Sequence, residues 1–447
     1  MNTSFFGELL QTIADRGRTL IDRTRDRREA AEQRSANLIE LCEELLSVRG
    51  EASGVALARE LLVRYTELTI GPRIAFFEAL ARNFGPNQTR LDTAIEAWRR
   101  SSSNEAAVEV HAASEPRRME LLRRLNLAPN GTRALVRMRE QLIDALEHRD
   151  DLSAIDNDFV SLFSSWFNRG FLVLRRIDWS TPANILEKII RYEAVHAIND
   201  WDHLRGRIDP ADRRCYAFFH PALVDEPLIF VEVALTRDTP AAIDPILAKQ
   251  RTAMEPERAT TAVFYSISNC QRGLAGVSFG HFLIKQVVEE ITREMARLST
   301  FVTLSPAPGF AQWLKRERET ESSAALNETD RAALKTLDRE GWWRSQTDAE
   351  ALRDPLMRAA AWYFVQARTE RDMPVDPVAR FHLGNGARME RLNWLADISE
   401  RCMSQSHGLM VNYLYDLSEI EQNHETYAQQ HTVIAANSVT RLVRTSA

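Results

Sequence analysis

The chain has 447 residues, of which 44% are hydrophobic and 27% charged, with a formal net charge of −6. Those values suit a soluble protein of two or three ordinary domains and exclude the strongly basic character of a nucleic-acid binder. No apolar stretch reaches the ~20 residues that a membrane-spanning helix needs, and the four cysteines (Cys42, Cys215, Cys270, Cys402) are too scattered for a zinc or redox pair.

Met1 to Leu20 shows no apolar signal-peptide core and carries Glu8 and Asp15. The Arg-rich run from Arg16 to Arg34 is interleaved with Asp15, Asp22, Asp26, Glu29 and Glu32, the mixture of a solvated amphipathic helix. Further helices are expected from the stripes Leu38, Leu41, Leu45, Leu46 and Leu135, Met138, Leu142, Ile143, Leu146. Gly85-Pro86-Asn87 and Pro129-Asn130-Gly131 break the pattern. Strand-like alternation is scarce here, so residues 1–170 read as an all-helical bundle without catalytic residues.

The texture changes after Gly170. A helix start is expected at Asp178 to Pro182, with Thr181 as N-cap and Pro182 at the first helical position, leading into Ile185 to Tyr192. Compact β-branched and aromatic runs follow at Arg214 to His220, Leu228 to Thr236 and Thr261 to Ser268. A glycine-containing turn, Gly273-Leu274-Ala275-Gly276-Val277, leads into an amphipathic helix through Phe282, Leu283, Val287 and Ile291. A short strand at Thr300 to Leu304 then enters Ser305-Pro306-Ala307-Pro308-Gly309-Phe310. Glycines in such a turn let backbone approach a ligand, and a helix N-terminus offers unpaired N–H groups to a phosphate. By itself that order is weak evidence for anion binding. From about residue 312 to 374 a charged helical insertion is expected, with Asp354-Pro355 as a break. Two dense segments close the chain, Phe381 to Ala387 and Gly408 to Asp416.

Many of these segments, in this order, resemble the malonyl-CoA decarboxylase family. The resemblance runs over most of Tyr192 to Tyr415. It is carried by Tyr192-Glu193-Ala194-Val195-His196, Arg213-Arg214-Cys215-Tyr216, Phe264-Tyr265-Ser266-Ile267-Ser268, the Gly273 turn, Leu304 to Phe310, Phe381-His382-Leu383, Asn393-Trp394-Leu395-Ala396-Asp397 and Gly408 to Tyr415. It implies an α+β multidomain protein: a helical oligomerisation domain over 1–170, then a GNAT-like mixed α/β catalytic domain over 171–447. It further implies that Ser305 and His382 are catalytic and that Tyr415 lies near the reacting group. Ala275, Gly276, Val277, Ser278, Phe279, Gly280 and His281 then correspond to the coenzyme-A diphosphate loop. Ser278 stands where animal members carry an acidic residue, a departure confined to the loop.

The chemistry suits those residue types. Decarboxylating malonyl-CoA to acetyl-CoA leaves an enolate beside the thioester carbonyl, which a fixed hydrogen-bond donor stabilises by roughly 2.7–4 kcal/mol. The α-carbon must then be protonated. A histidine such as His382 suits that task, because its ordinary pKa lies near ~6.5. Ser305 would hold the carboxylate or relay the proton, with Tyr415 in support. No cofactor or metal is called for. His424 and His431, seven apart, lack a carboxylate–histidine ligand set and read as surface residues, while His196 and His220 read as structural. Two rival readings use the same loop: a GNAT-type acyltransferase, which needs an acceptor pocket, and a non-catalytic acyl-CoA sensor, which could dispense with Ser305 and His382. A homo-oligomer, dimer or tetramer, is expected from the resemblance. Only Lys188, Lys249, Lys285, Lys315 and Lys335 are lysines among 57 basic residues, a bias of GC-rich bacterial genomes. With no peroxisomal tripeptide at Arg444-Thr445-Ser446-Ala447, a bacterial cytoplasm is the expected location.

Overall fold

Helices, without a strand, make up the elements from Leu38 to Trp166 of the computed structural model, which describes residues 38–47, 50–277, 279 and 283–444. The Arg16–Arg34 segment lies outside the described residues, as do Ser278, Gly280, His281 and Phe282. Contacts divide the chain into two units. One holds the described residues up to Val173 together with Phe219–Glu226 and Gln271–Phe279; the other holds Leu174–Phe218, Pro227–Cys270 and the described residues from Leu283 onward.

The first unit is built from the helices Leu38–Ser47, Glu51–Thr66, Ile70–Asn83, Gln88–Ser101, Asn104–Ser114, Arg117–Asn126, Gly131–Leu146 and Ser153–Trp166. Their inward stripes bury Leu61, Phe77, Leu121, Leu135, Leu142 and Phe159. The two breakers act as caps. Asn87 accepts from the Arg90 N–H at 3.0 Å and starts one helix. Asn130 sits in the left-handed region at φ 59°. A Cβ at Gly131 would come within 2.4 Å of the Leu125 carbonyl, so only glycine fits that turn.

The second unit carries an eight-stranded mixed sheet: β1 Val173–Ile177, β2 Arg213–Phe219, β3 Pro227–Thr236, β4 Thr261–Asn269, β5 Thr300–Thr303, β6 Ser305–Pro306, β7 Arg388–Asn393 and β8 Met410–Leu414. Their order is β1-β2-β3-β4-β5-β8-β6, with β7 on β8. β2, β3 and β4 are buried along both faces, and most of their residues are apolar; helices such as Ala183–Tyr192 and Leu283–Glu294 pack beside them. β3 and β4 are antiparallel, with a bulge that leaves Tyr265 as the extra residue. β4 and β5 are parallel only from Thr261↔Thr300 to Phe264↔Thr303. Beyond that point β4 continues along β3, while the chain after Thr303 turns into β6 and pairs with β8. The last link before the split is Leu304 N–H to the Phe264 carbonyl, 3.0 Å. A helical N-terminal region followed by this mixed sheet is the α+β architecture that the resemblance implied.

Two local expectations are corrected. The helix after Trp179 begins at Ala183 with Pro182 in the cap position, at φ −50° and ψ 135°. The Thr181 hydroxyl instead accepts the Asp178 N–H at 3.0 Å. Asp354-Pro355 does not break the chain: Pro355 lies inside the helix Gln346–Val365. An interior proline costs a helix about 3 kcal/mol or more. Here the helix buries Leu352, Leu356, Ala359, Ala360 and Phe364 around it, which offsets that cost.

Candidate active site

Beyond the split of β4 and β5 lies a chain of buried polar groups. Thr303 ends β5 and Ser305 opens β6; two residues apart on an extended backbone, both side chains point to one face. Ser305 Oγ donates to Thr303 Oγ1 at 2.8 Å and lies 2.9 Å from His382 Nε2. His382 Nδ1 lies 2.8 Å from the Tyr415 hydroxyl. The relative exposures of Ser305, His382 and Tyr415 are 6%, 2% and 1%.

The local sequence explains how His382 is held. Asp376-Pro377 starts a short helix, Pro377–Gly384, in which Asp376 Oδ1 accepts the Ala379 N–H at 2.8 Å. His382 occupies its last turn. Gly386 then turns at φ +82°, where a Cβ would lie 2.2 Å from the Ile420 carbonyl. The imidazole stacks on Tyr413, centroids 4.5 Å apart and planes 25° apart, which fixes the ring plane.

Electrostatics set the protonation state. Burial alone pushes His382 down to about 3, so its resting form is the neutral imidazole rather than the half-titrated group its sequence suggested. Burial raises the Tyr415 hydroxyl well above its ordinary value, so it keeps its proton. Tyr415 has no second acceptor among its hydrogen bonds, so its O–H is assigned to donate to Nδ1. Nε2 then carries the imidazole proton and donates to Ser305, and Ser305 donates to Thr303. Such an arrangement can offer protons from uncharged donors without burying a charge.

A second layer ties the Ser305 and His382 segments together. The Tyr363 hydroxyl donates to Asp376 Oδ2 at 3.1 Å. The same hydroxyl would lie 2.8 Å from a Cβ at Gly309, so the turn after Ser305 closes against it. His424 Nδ1 lies 2.8 Å from the Gly384 carbonyl and buttresses the His382 helix from the far end. No group of three or more His, Cys, Asp or Glu among the described residues is arranged to hold a metal ion.

The turn before Leu283 belongs by its contacts to the first unit. Gly276 is exposed at φ +77°, with open space where a Cβ would stand. Its N–H takes no partner among the described residues, while Ala275 and Val277 direct theirs to Arg272 and Leu274 at 2.9 and 3.0 Å. Val277 is buried and Phe279 half-buried.

The model of the malonyl-CoA decarboxylase C-terminal domain matches residues 170–447, and that of the N-terminal domain matches residues 84–167. The chain belongs to the malonyl-CoA decarboxylase family. The mitochondrial malonyl-CoA decarboxylase of Rattus norvegicus is 35% identical over 434 residues, 90% of this chain and 85% of that protein. The solved malonyl-CoA decarboxylase from Rhodopseudomonas palustris is 59% identical with a TM-score of 0.88, covering 90% of this chain and 98% of its own. That from Agrobacterium vitis is 56% identical with a TM-score of 0.86, covering 91% and 99%.

The decarboxylase reading of the sequence named Ser305, His382 and Tyr415, and these three meet in one hydrogen-bonded chain. It missed Thr303, Tyr413, Asp376 and Tyr363. The strand period would have found Thr303, two before Ser305, and Asp376-Pro377 is a readable helix start. Nothing local marks Tyr363, which reaches Asp376 from another helix.

Proposed function

We propose that this protein, a carboxy-lyase by family, converts malonyl-CoA into acetyl-CoA and CO2 through Ser305, His382 and Tyr415. The observation that carries the reading is the unbroken chain Tyr415–His382–Ser305–Thr303 beside the splayed strands, in a member of this family. Gly276, whose N–H has no partner among the described residues, contributes to binding the coenzyme diphosphate, together with the neighbouring residues of its loop.

Ser305 orients the malonyl carboxylate out of the thioester plane. The bond between that carboxylate and the α-carbon then breaks, its electron pair passes into the thioester enolate, and CO2 leaves. A thioester enolate is strongly basic, so an uncharged hydroxyl suffices as the acid. Ser305 gives its proton to the α-carbon and is reprotonated by His382 Nε2–H, and solvent restores the imidazole proton. One proton is consumed per turnover. Tyr415 holds the tautomer that makes this direction possible.

The test is incubation of purified protein with malonyl-CoA and EDTA, with no acceptor, following acetyl-CoA by mass spectrometry. Wild type should form acetyl-CoA, and His382→Ala should be slower by roughly 10²–10⁴-fold. Intact malonyl-CoA with wild type would sink the reading in favour of an acyltransferase or a sensor. By resemblance the protein acts as a cytoplasmic bacterial homo-oligomer in fatty-acid or malonate metabolism, and sedimentation at several concentrations checks the assembly. No helix among the described residues is long and apolar enough to cross a membrane.

A further inference from the structure

Arg139 lies on the helix Gly131–Leu146 of the first unit, far in sequence from any residue of the proposed chemistry, and is only 3% exposed. Its guanidinium is held on one side by Asp156, with Nε to Oδ1 at 2.8 Å and Nη2 to Oδ2 at 3.3 Å. On the other side Nη1 donates to two carbonyls of the glycine turn, Gly273 at 2.8 Å and Ala275 at 2.7 Å. An arginine that bridges a carboxylate and two backbone oxygens is a rigid fork, and a lysine could not reproduce it.

A second, independent feature points the same way. A Cβ at Gly273 would stand 2.0 Å from the Val136 carbonyl and 2.9 Å from its side chain. The turn is therefore seated directly on the helix backbone, one turn before Arg139. Gly273 is pressed down and the Ala275 carbonyl is drawn inward. The Gly276 N–H belongs to that same trans peptide and points opposite to the carbonyl, so it faces outward, exposed and without a partner among the described residues.

We infer that Arg139, oriented by Asp156, is a positioning residue for the coenzyme: it aims the Gly276 amide at the diphosphate. This rests on the reading of that turn as the diphosphate loop. A bundle needed only for assembly would have no use for a buried arginine spent on two loop carbonyls.

The full-length protein tests it with Arg139→Met, which keeps the apolar stem and removes the fork, and Asp156→Asn, which loosens the fork's anchor. Hydrogen exchange at residues 273–277 without ligand reports the loop. Titration with acetyl-CoA and with S-acetylpantetheine, which lacks the diphosphate, reports the site. In both variants exchange should quicken and acetyl-CoA should bind roughly tenfold more weakly or worse, with S-acetylpantetheine unchanged and kcat at saturation nearly unchanged. Asp156→Asn should show the smaller change, and it serves if Arg139→Met does not fold. Unchanged exchange and affinity would overturn the positioning role alone. Faster exchange with unchanged acetyl-CoA affinity would show a real clamp on a loop that does not bind the diphosphate, overturning the loop reading and the inference together. Equal weakening of both ligands would overturn the inference, because the loss would not lie at the diphosphate.

Discussion

Two of the polar clusters buried in the sheet unit meet the cost of burial in opposite ways. The Tyr415–His382–Ser305–Thr303 chain carries no formal charge, with its imidazole pushed down to about 3. The other cluster is ionic: Arg207 Nη1 meets Glu232 Oε2 at 2.7 Å, and Arg207 also packs over the Tyr265 ring. Burial pushes Glu232 up to about 7, against the pull of Arg207. Tyr265 shares a core cluster with Val302 and Leu304, so the strand alternation places it on the face opposite Thr303 and Ser305. One face of the same strands thus holds an ion pair locked in place, and the other holds hydroxyls and an imidazole whose protons are free to move. Burial alone marks neither as functional. Neutrality and connectivity distinguish the chain that can pass a proton.

Substitution should separate the two clusters cleanly. Ser305→Ala is expected to lower kcat by roughly 10²–10⁴-fold while costing only about 1–2 kcal/mol of stability. Arg207→Met should do the reverse. It leaves Glu232 buried without its partner, at about 3–5 kcal/mol, with kcat of the folded protein nearly intact. Calorimetry and turnover measured well below the melting temperature check both. If Arg207→Met lost turnover more than stability, the ionic cluster would belong to the chemistry and the contrast would fail.

A smaller effect is expected from Tyr415→Phe, which removes the donor that assigns the tautomer. We expect roughly a tenfold fall in kcat, consistent with losing one buried hydrogen bond. The pH profile sharpens the point. His382 has a folded pKa depressed from ~6.5 to about 3, so the stability from keeping it neutral is full above ~6.5 and is lost as pH falls toward 3. The free enzyme's imidazole therefore stays neutral from pH 8 to 5, and kcat/KM should show no acid limb near 6.5 from this group. A limb there that vanished in a His382 variant would mean that the imidazole titrates freely, and the uncharged relay would be wrong.

How much of this was legible depended on where the information lay. The three central strands could be read to within about a residue at either end, because β2, β3 and β4 are buried on both faces and stand out as β-branched and aromatic runs. β7 escaped, since Arg388, Glu390 and Arg391 give it the composition of a surface segment although Leu392 and Met389 pack inward. The order of strands, and the split after Phe264 and Thr303, depend on pairing between distant segments and leave no local trace. Ser305, His382 and Tyr415 were reached through the family resemblance, as isolated residues. What the spacing could not say is that they touch, or that burial would strip His382 of its ordinary titration. Arg139 looked like one more cation on an amphipathic helix, since its acceptors are backbone carbonyls 134 and 136 residues away.

The smallest expected effect concerns the link behind the neutral chain, and its sign is set by pH. Asp376 caps the His382 helix through Oδ1 and receives the Tyr363 hydroxyl on Oδ2. Burial pushes its carboxyl up to about 6, opposed by the Ala379 N–H and by that hydroxyl. Because the folded value lies above the unfolded ~3.9, this group's contribution to stability is present at low pH and is lost as pH rises through about 6. Tyr363→Phe removes a donor that serves the ionised form. At pH 8 the carboxylate then loses its side-chain donor on Oδ2 in the core, at about 1–3 kcal/mol, and the loss should shrink at pH 5, where the group is protonated. Turnover should fall only severalfold, since the cap to Ala379 still holds the helix. Denaturant unfolding of wild type and Tyr363→Phe at both pH values decides the matter. An equal loss at the two pH values would mean that the hydroxyl matters for packing against Gly309 rather than for the charge on Asp376.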